Sequence, residues 1–106
     1  MRTAAAYLES LRDGREVWVN GERVKDVTTH PALRRCAHTI ARLYDLQHNP
    51  QGADVLTFQG PDGKPESMAY FLPRSAADLG RLRYYYEFLT VQTGGLMGRF
   101  SALITL

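Results

Sequence analysis

The chain has 106 residues, of which 44% are hydrophobic and 23% charged, the ordinary balance of a globular domain large enough to bury a core. Its 13 basic and 11 acidic side chains give a net charge of +2 and are scattered without a run. That pattern gives no support to nucleic acid as a partner, and no apolar stretch is long enough for a membrane span or a signal segment.

Thr3 is placed to cap a first helix, in which Ala4, Tyr7, Leu8 and Leu11 recur on one face until Gly14 stops it. Val17, Trp18 and Val19 then form a β-prone run, Asn20-Gly21 supplies two positive-φ residues, and Arg23 to Val27 can return as a partner strand. This is a hairpin in which Val17, Val19, Val24 and Val27 can share faces. Pro31 sits at the first turn of a second helix running to about Gln47, along which Leu33, Cys36, Ala37, Ile40, Ala41, Leu43 and Tyr44 keep helical spacing. Arg34, Arg35, His38, Arg42 and Asp45 fall on the opposite, solvated face.

From Val55 to Phe58 the pattern turns β-like, Gly60-Pro61-Asp62-Gly63 is dense in turn residues, and Ser67 to Leu72 reads as a returning strand. Ser75 with Asp78 resembles a capping box for a third helix, whose apolar positions Leu79, Leu82, Tyr86, Leu89 and Thr93 lead to Gly94-Gly95. The expected fold class is therefore α+β and mostly α, with three helices and two hairpins. After Arg99 comes an apolar tail, Phe100 to Leu106.

Chemistry-bearing constellations are scarce. His30, His38 and His48 are too far apart along a helix and its ends to converge on a metal, and Cys36 at a core position lacks a base, so it reads as a packed thiol. As the single cysteine, Cys36 cannot form an internal disulfide, which fits a reducing, cytoplasmic setting. No phosphate-cradling glycine motif is present, and Gly94-Gly95-x-x-Gly98-Arg99 follows a helix where such motifs follow a strand. Tyr84-Tyr85-Tyr86 with Arg81 and Arg83 mixes aromatic and basic residues, but successive helical side chains point about 100° apart and form no common stacking platform.

Several segments, taken in order, carry a resemblance: Tyr7-Leu8-Glu9-Ser10-Leu11-Arg12-Asp13-Gly14-Arg15, Val19-Asn20-Gly21-Glu22-Arg23-Val24, Val27-Thr28-Thr29-His30-Pro31, Leu43-Tyr44-Asp45-Leu46-Gln47-His48 and Gly95-Leu96-Met97-Gly98-Arg99. They resemble the N-terminal domain of the oxygenase component of 4-hydroxyphenylacetate 3-monooxygenase. The resemblance implies an acyl-CoA-dehydrogenase-like flavin monooxygenase, tetrameric when intact, which takes reduced FAD from a separate flavin reductase and hydroxylates a phenol beside its hydroxyl. It implies residues 1–99 as an N-terminal helical domain and residues 100–106 as an apolar tail departing from the family pattern. It also makes Arg99 the counterpart of the arginine that binds the phenolic oxygen of the substrate. The family's catalytic and flavin-contacting residues fall beyond residue 106, so none is assigned here, and the chain alone is expected to lack hydroxylase activity. The rival reading is a non-enzymatic docking domain whose apolar tail binds a partner.

Overall fold

Across residues 1–95, which the computed structural model describes, the chain divides into two units, residues 2–48 and residues 49 onward, the latter taking in Met1. In the first unit the Thr3 hydroxyl accepts from the Ala6 N–H at 3.2 Å and starts helix α1, Ala4–Ser10. No residue of α1 is fully buried. It is anchored instead by Tyr7 stacking on Tyr44, with ring centroids 4.9 Å apart, and by the Ala4 N–H donating to Asp45 Oδ1 at 2.8 Å.

Strands β1, Val17–Val19, and β2, Glu22–Val24, pair antiparallel with Val17 opposite Val24 and Val19 opposite Glu22. Asn20 at φ 52° and Gly21 at φ 79° make the expected two-residue turn, whose twist matches that of the strands. Val17, Val19 and Val24 share a face, and Val24 is buried. The return strand is shorter than expected: Lys25 to Val27 leave the ladder because Asp26 organises a turn, accepting the His30 N–H at its carbonyl.

Helix α2 spans Arg34–Leu46 and buries Ala37 and Ala41. Its regular part starts later than Pro31, yet the Arg34 N–H bonds the His30 carbonyl, which leaves Pro31 inside the first turn where its missing N–H costs nothing. Cys36 is exposed. The packed-thiol expectation is thus overturned, because the buried stripe runs through Ala37 and Ala41 and Cys36 lies about 100° round from Ala37.

The second unit opens with a single helical turn, α3, Ala53–Leu56, where a strand was expected from Val55. Strand β3, Thr57–Gln59, pairs with β4, Pro65–Ser67, with Phe58 opposite Glu66. A strand continuing to Leu72 does not form. The Ser67 hydroxyl accepts from the Ala69 N–H and diverts the chain into a short 3-10 turn, Met68–Tyr70, which drops Met68 into the core. Helix α4, Ala76–Gln92, is capped by the Ser75 hydroxyl accepting from the Asp78 N–H at 3.1 Å. Asp78 reaches back one residue further than a capping box requires, to the Arg74 N–H at 2.9 Å. Leu56, Met68, Tyr85 and Leu89 form the core of this unit. Sequence spacing pointed to Leu79 and Tyr86 as part of the packed face, but Leu79 is 59% exposed and Tyr85 takes the buried position.

Candidate functional site

Arg99, the substrate-binding position implied by resemblance, lies outside the described residues. The structure does fix the element that leads to it. Helix α4 closes with the Gly95 N–H bonded to the Thr90 carbonyl at 2.9 Å, and both Gly94 and Gly95 hold left-handed backbone at φ 63° and 84°. Two consecutive left-handed residues demand glycine and end the helix abruptly.

Several of the remaining candidate groups are committed to scaffold bonds. Arg81 donates to the Thr57 carbonyl at 3.0 Å and lies over the Phe71 ring at 5.3 Å, and Phe71 meets Phe58 edge-on at 5.2 Å. One guanidinium therefore joins α4 to β3 and to the segment after the 3-10 turn. Arg83 pairs with Glu87 at 3.0 Å. Of the tyrosine triplet, Tyr84 is exposed, Tyr85 is buried and Tyr86 is half-buried, so the three offer no shared face for stacking bases. Burial, with the neighbouring Tyr86 adding to it, pushes the Tyr85 phenol up to about 12.

In the first unit, the Asp26 carboxylate accepts from the Thr28 N–H at 2.8 Å, the Thr28 hydroxyl at 2.6 Å and Arg12 Nε at 3.1 Å. The Thr28 hydroxyl foremost, and then the Thr28 N–H, hold Asp26 below the ordinary carboxylate range. Arg15 grips Asp13 through two bonds of 2.7 Å and draws its carboxyl down to about 2. Burial raises the Tyr7 phenol, with Tyr44 adding to the effect and Arg15 opposing it. His48 Nε2 donates to the Arg2 carbonyl at 3.1 Å, and His30 Nδ1 accepts from the Ala32 N–H at 3.2 Å. Among the described residues, no three His, Cys, Asp or Glu side chains come together as a metal site would require. Sequence reading missed the Asp26–Thr28 turn, although an aspartate two residues before a threonine is its local signal. It also missed the Arg81 latch, which no local signal announces.

Arg12, Asp13, Arg15, Thr28, His30 and His48 belong to the segments that carry the resemblance. The family described as 4-hydroxyphenylacetate 3-hydroxylase N terminal matches residues 3–105. The chain belongs to that family. It is 57% identical over 88 residues to the oxygenase component of 4-nitrophenol 4-monooxygenase/4-nitrocatechol 2-monooxygenase of Rhodococcus opacus, covering 83% of this chain and 17% of that protein. It is 41% identical over 99 residues to the 4-hydroxyphenylacetate 3-monooxygenase oxygenase component of Thermus thermophilus, covering 92% of this chain and 20% of that one. The crystal structure of a 4-hydroxyphenylacetate 3-monooxygenase oxygenase component complexed with FAD and 4-hydroxyphenylacetate superposes with a TM-score of 0.84 at 41% identity. That match covers 93% of this chain and 21% of the solved one. The chain therefore spans about a fifth of the length of these relatives, and its fold is that of the matching portion of an acyl-CoA-dehydrogenase-like flavin monooxygenase.

Proposed function

We propose that this chain is the N-terminal portion of the oxygenase component of a two-component phenol hydroxylase that uses reduced FAD, and that its preferred substrates are nitrophenol-like. The observation that carries the reading is the 57% identity to a 4-nitrophenol oxygenase component, set against 41% to one acting on 4-hydroxyphenylacetate. Reduced FAD, delivered by a separate flavin reductase, supplies the oxygen-activating chemistry in the assembled tetramer. The groove along α4 does not suit a dinucleotide, since it is lined largely by apolar side chains and its Arg83 already pairs with Glu87. The 106-residue chain alone is inactive as a hydroxylase on this reading, because flavin and substrate must be enclosed away from water. A cytoplasmic setting is supported by the unpaired Cys36.

The role proposed for Arg99 is the one the family resemblance implies. A guanidinium stays charged and presents its donors in a fixed fork, so at the phenolic oxygen it stabilises phenolate and raises electron density at the ortho carbon to be hydroxylated. The test supplies the native polypeptide carrying these residues with NADH, a flavin reductase, FAD and oxygen, and offers 4-nitrophenol and 4-hydroxyphenylacetate in parallel. We expect the catechol of 4-nitrophenol to form with the higher kcat/KM, and Arg99→Ala to lose about 100-fold or more in kcat. No hydroxylated product from either phenol overturns the proposal, as does an Arg99→Ala variant of undiminished activity. Product formed by the isolated 106-residue chain overturns the inactivity reading alone.

A further inference from the structure

Helix α4 ends in a stop that uses one more glycine than a stop requires. The Gly94 N–H bonds the Val91 carbonyl and the Gly95 N–H bonds the Thr90 carbonyl at 2.9 Å, the paired closing bonds in which the first residue past the cap is left-handed. Gly94, at φ 63°, is that residue, and the motif accounts for its glycine. Gly95 stands one place further, where a side chain that packs back on the last turn commonly sits, yet it is left-handed too, at φ 84°. Crowding is not the reason, because a Cβ on Gly95 would meet nothing within 4 Å. What demands glycine there is the backbone direction alone.

That direction is set on a firm base. Leu89 is buried, and its carbonyl accepts both the Thr93 N–H at 3.0 Å and the Thr93 hydroxyl at 2.8 Å, so the last turn of α4 is tied to packed side chains. Arg99 follows Gly95 by four residues, a reach of up to roughly 13 Å. Over that lever, a swing of residue 95 from the left-handed to the extended region moves the far end by several ångströms, whereas a misplacement of about 1 Å is enough to cost on the order of 100-fold in rate. We propose that Gly95 is a positioning residue: its left-handed backbone aims the chain leaving α4 so that the Arg99 guanidinium meets the phenolic oxygen of the substrate. This rests on the role proposed above for Arg99 and extends it to a residue that acts only through that side chain.

The test is a cycle of variants in the native polypeptide carrying these residues, supplied with NADH, a flavin reductase, FAD and oxygen. Gly95→Ala should lower kcat/KM for 4-nitrophenol about tenfold or more, since alanine fits the space but is strained at this φ. Gly95→Asn should recover it to within about threefold, because asparagine enters the left-handed region readily. In the Arg99→Ala background, Gly95→Ala should cost less than about twofold more, the non-additivity of two residues serving one contact. An anaerobic titration with reduced FAD bound reads that contact directly: 4-nitrophenol should ionise at lower pH on the parent polypeptide than on either Gly95→Ala or Arg99→Ala, as its yellow phenolate reports. A Gly95→Ala variant with undiminished kcat/KM or an unmoved phenolate signal overturns the inference. So does an equal loss in both backgrounds, which would make Gly95 a helix stop and nothing more. Undiminished activity in Arg99→Ala overturns the reading of Arg99 itself, whereas a loss there without one in Gly95→Ala overturns this inference alone.

Discussion

Arg12 and Asp26 are joined Nε to Oδ2 at 3.1 Å, which ties the end of α1 to the turn that follows the first hairpin. Both sit at the edge of solvent, so the ion pair itself contributes little to stability. What it does is complete the acceptor capacity of a carboxylate that already receives the N–H and the hydroxyl of Thr28. Thr28 is the buried polar residue among those described, and this network is how it is satisfied.

The first prediction removes that hydroxyl. Thr28→Val keeps the volume of the side chain but deletes its donation to Asp26, and should cost about 1 kcal/mol. Thermal unfolding followed by circular dichroism should then show a fall in Tm of about 4–8 °C. An unchanged Tm would mean that the turn is held by its backbone bonds alone.

The second concerns acid. Asp13 and Asp26 both ionise more readily when folded than the ordinary value of 3.8 for an aspartate. A depressed folded-state pKa gives stability that is fully present above the unfolded value and is lost as pH falls through the folded one. The urea midpoint should thus hold steady from neutrality down to about pH 5, then decline between about pH 4 and pH 2. Asp26→Asn should flatten part of that decline and Asp13→Asn a further part. A decline of the same steepness in the double variant would assign acid sensitivity to other carboxylates.

The third uses the thiol. Because Cys36 stands exposed on α2, one equivalent of a disulfide reagent should be consumed per chain without denaturant, at the rate of an unhindered thiol. Protection that yields only to urea would return Cys36 to the interior.

How much of this was legible beforehand depended on whether the determining forces were local. The Asn20-Gly21 turn, the Thr3 and Ser75 caps and the register of Val17 against Val24 rest on neighbours in the chain, and all were readable. The packed faces of α2 and α4 were readable only in part, because apolar residues surround much of each helix and periodicity alone accommodates more than one stripe. Ala37, Ala41 and Leu89 were read inward and are buried, whereas Cys36 and Leu79 were read inward on that ambiguity and are exposed, with Tyr85 buried on α4 instead. Val55 and Leu56 were read as strand because β-branched and apolar residues suit one; packing of α3 beside α4 and the 3-10 turn decided for a helical turn. Of the candidate site, Arg99 was legible only through resemblance, since a lone arginine after a glycine pair has no signature of its own.

The hairpin register imposes a parity on its strands. Val24 points into the core while Arg23 and Lys25 on either side of it are exposed. One residue inserted into β2 ahead of Val24 would exchange these directions and drive a cation toward the interior, whereas two would return the valine to its face. Length variation in this arm should therefore come in even steps, a constraint imposed by the pleat of the strand whatever the protein is used for.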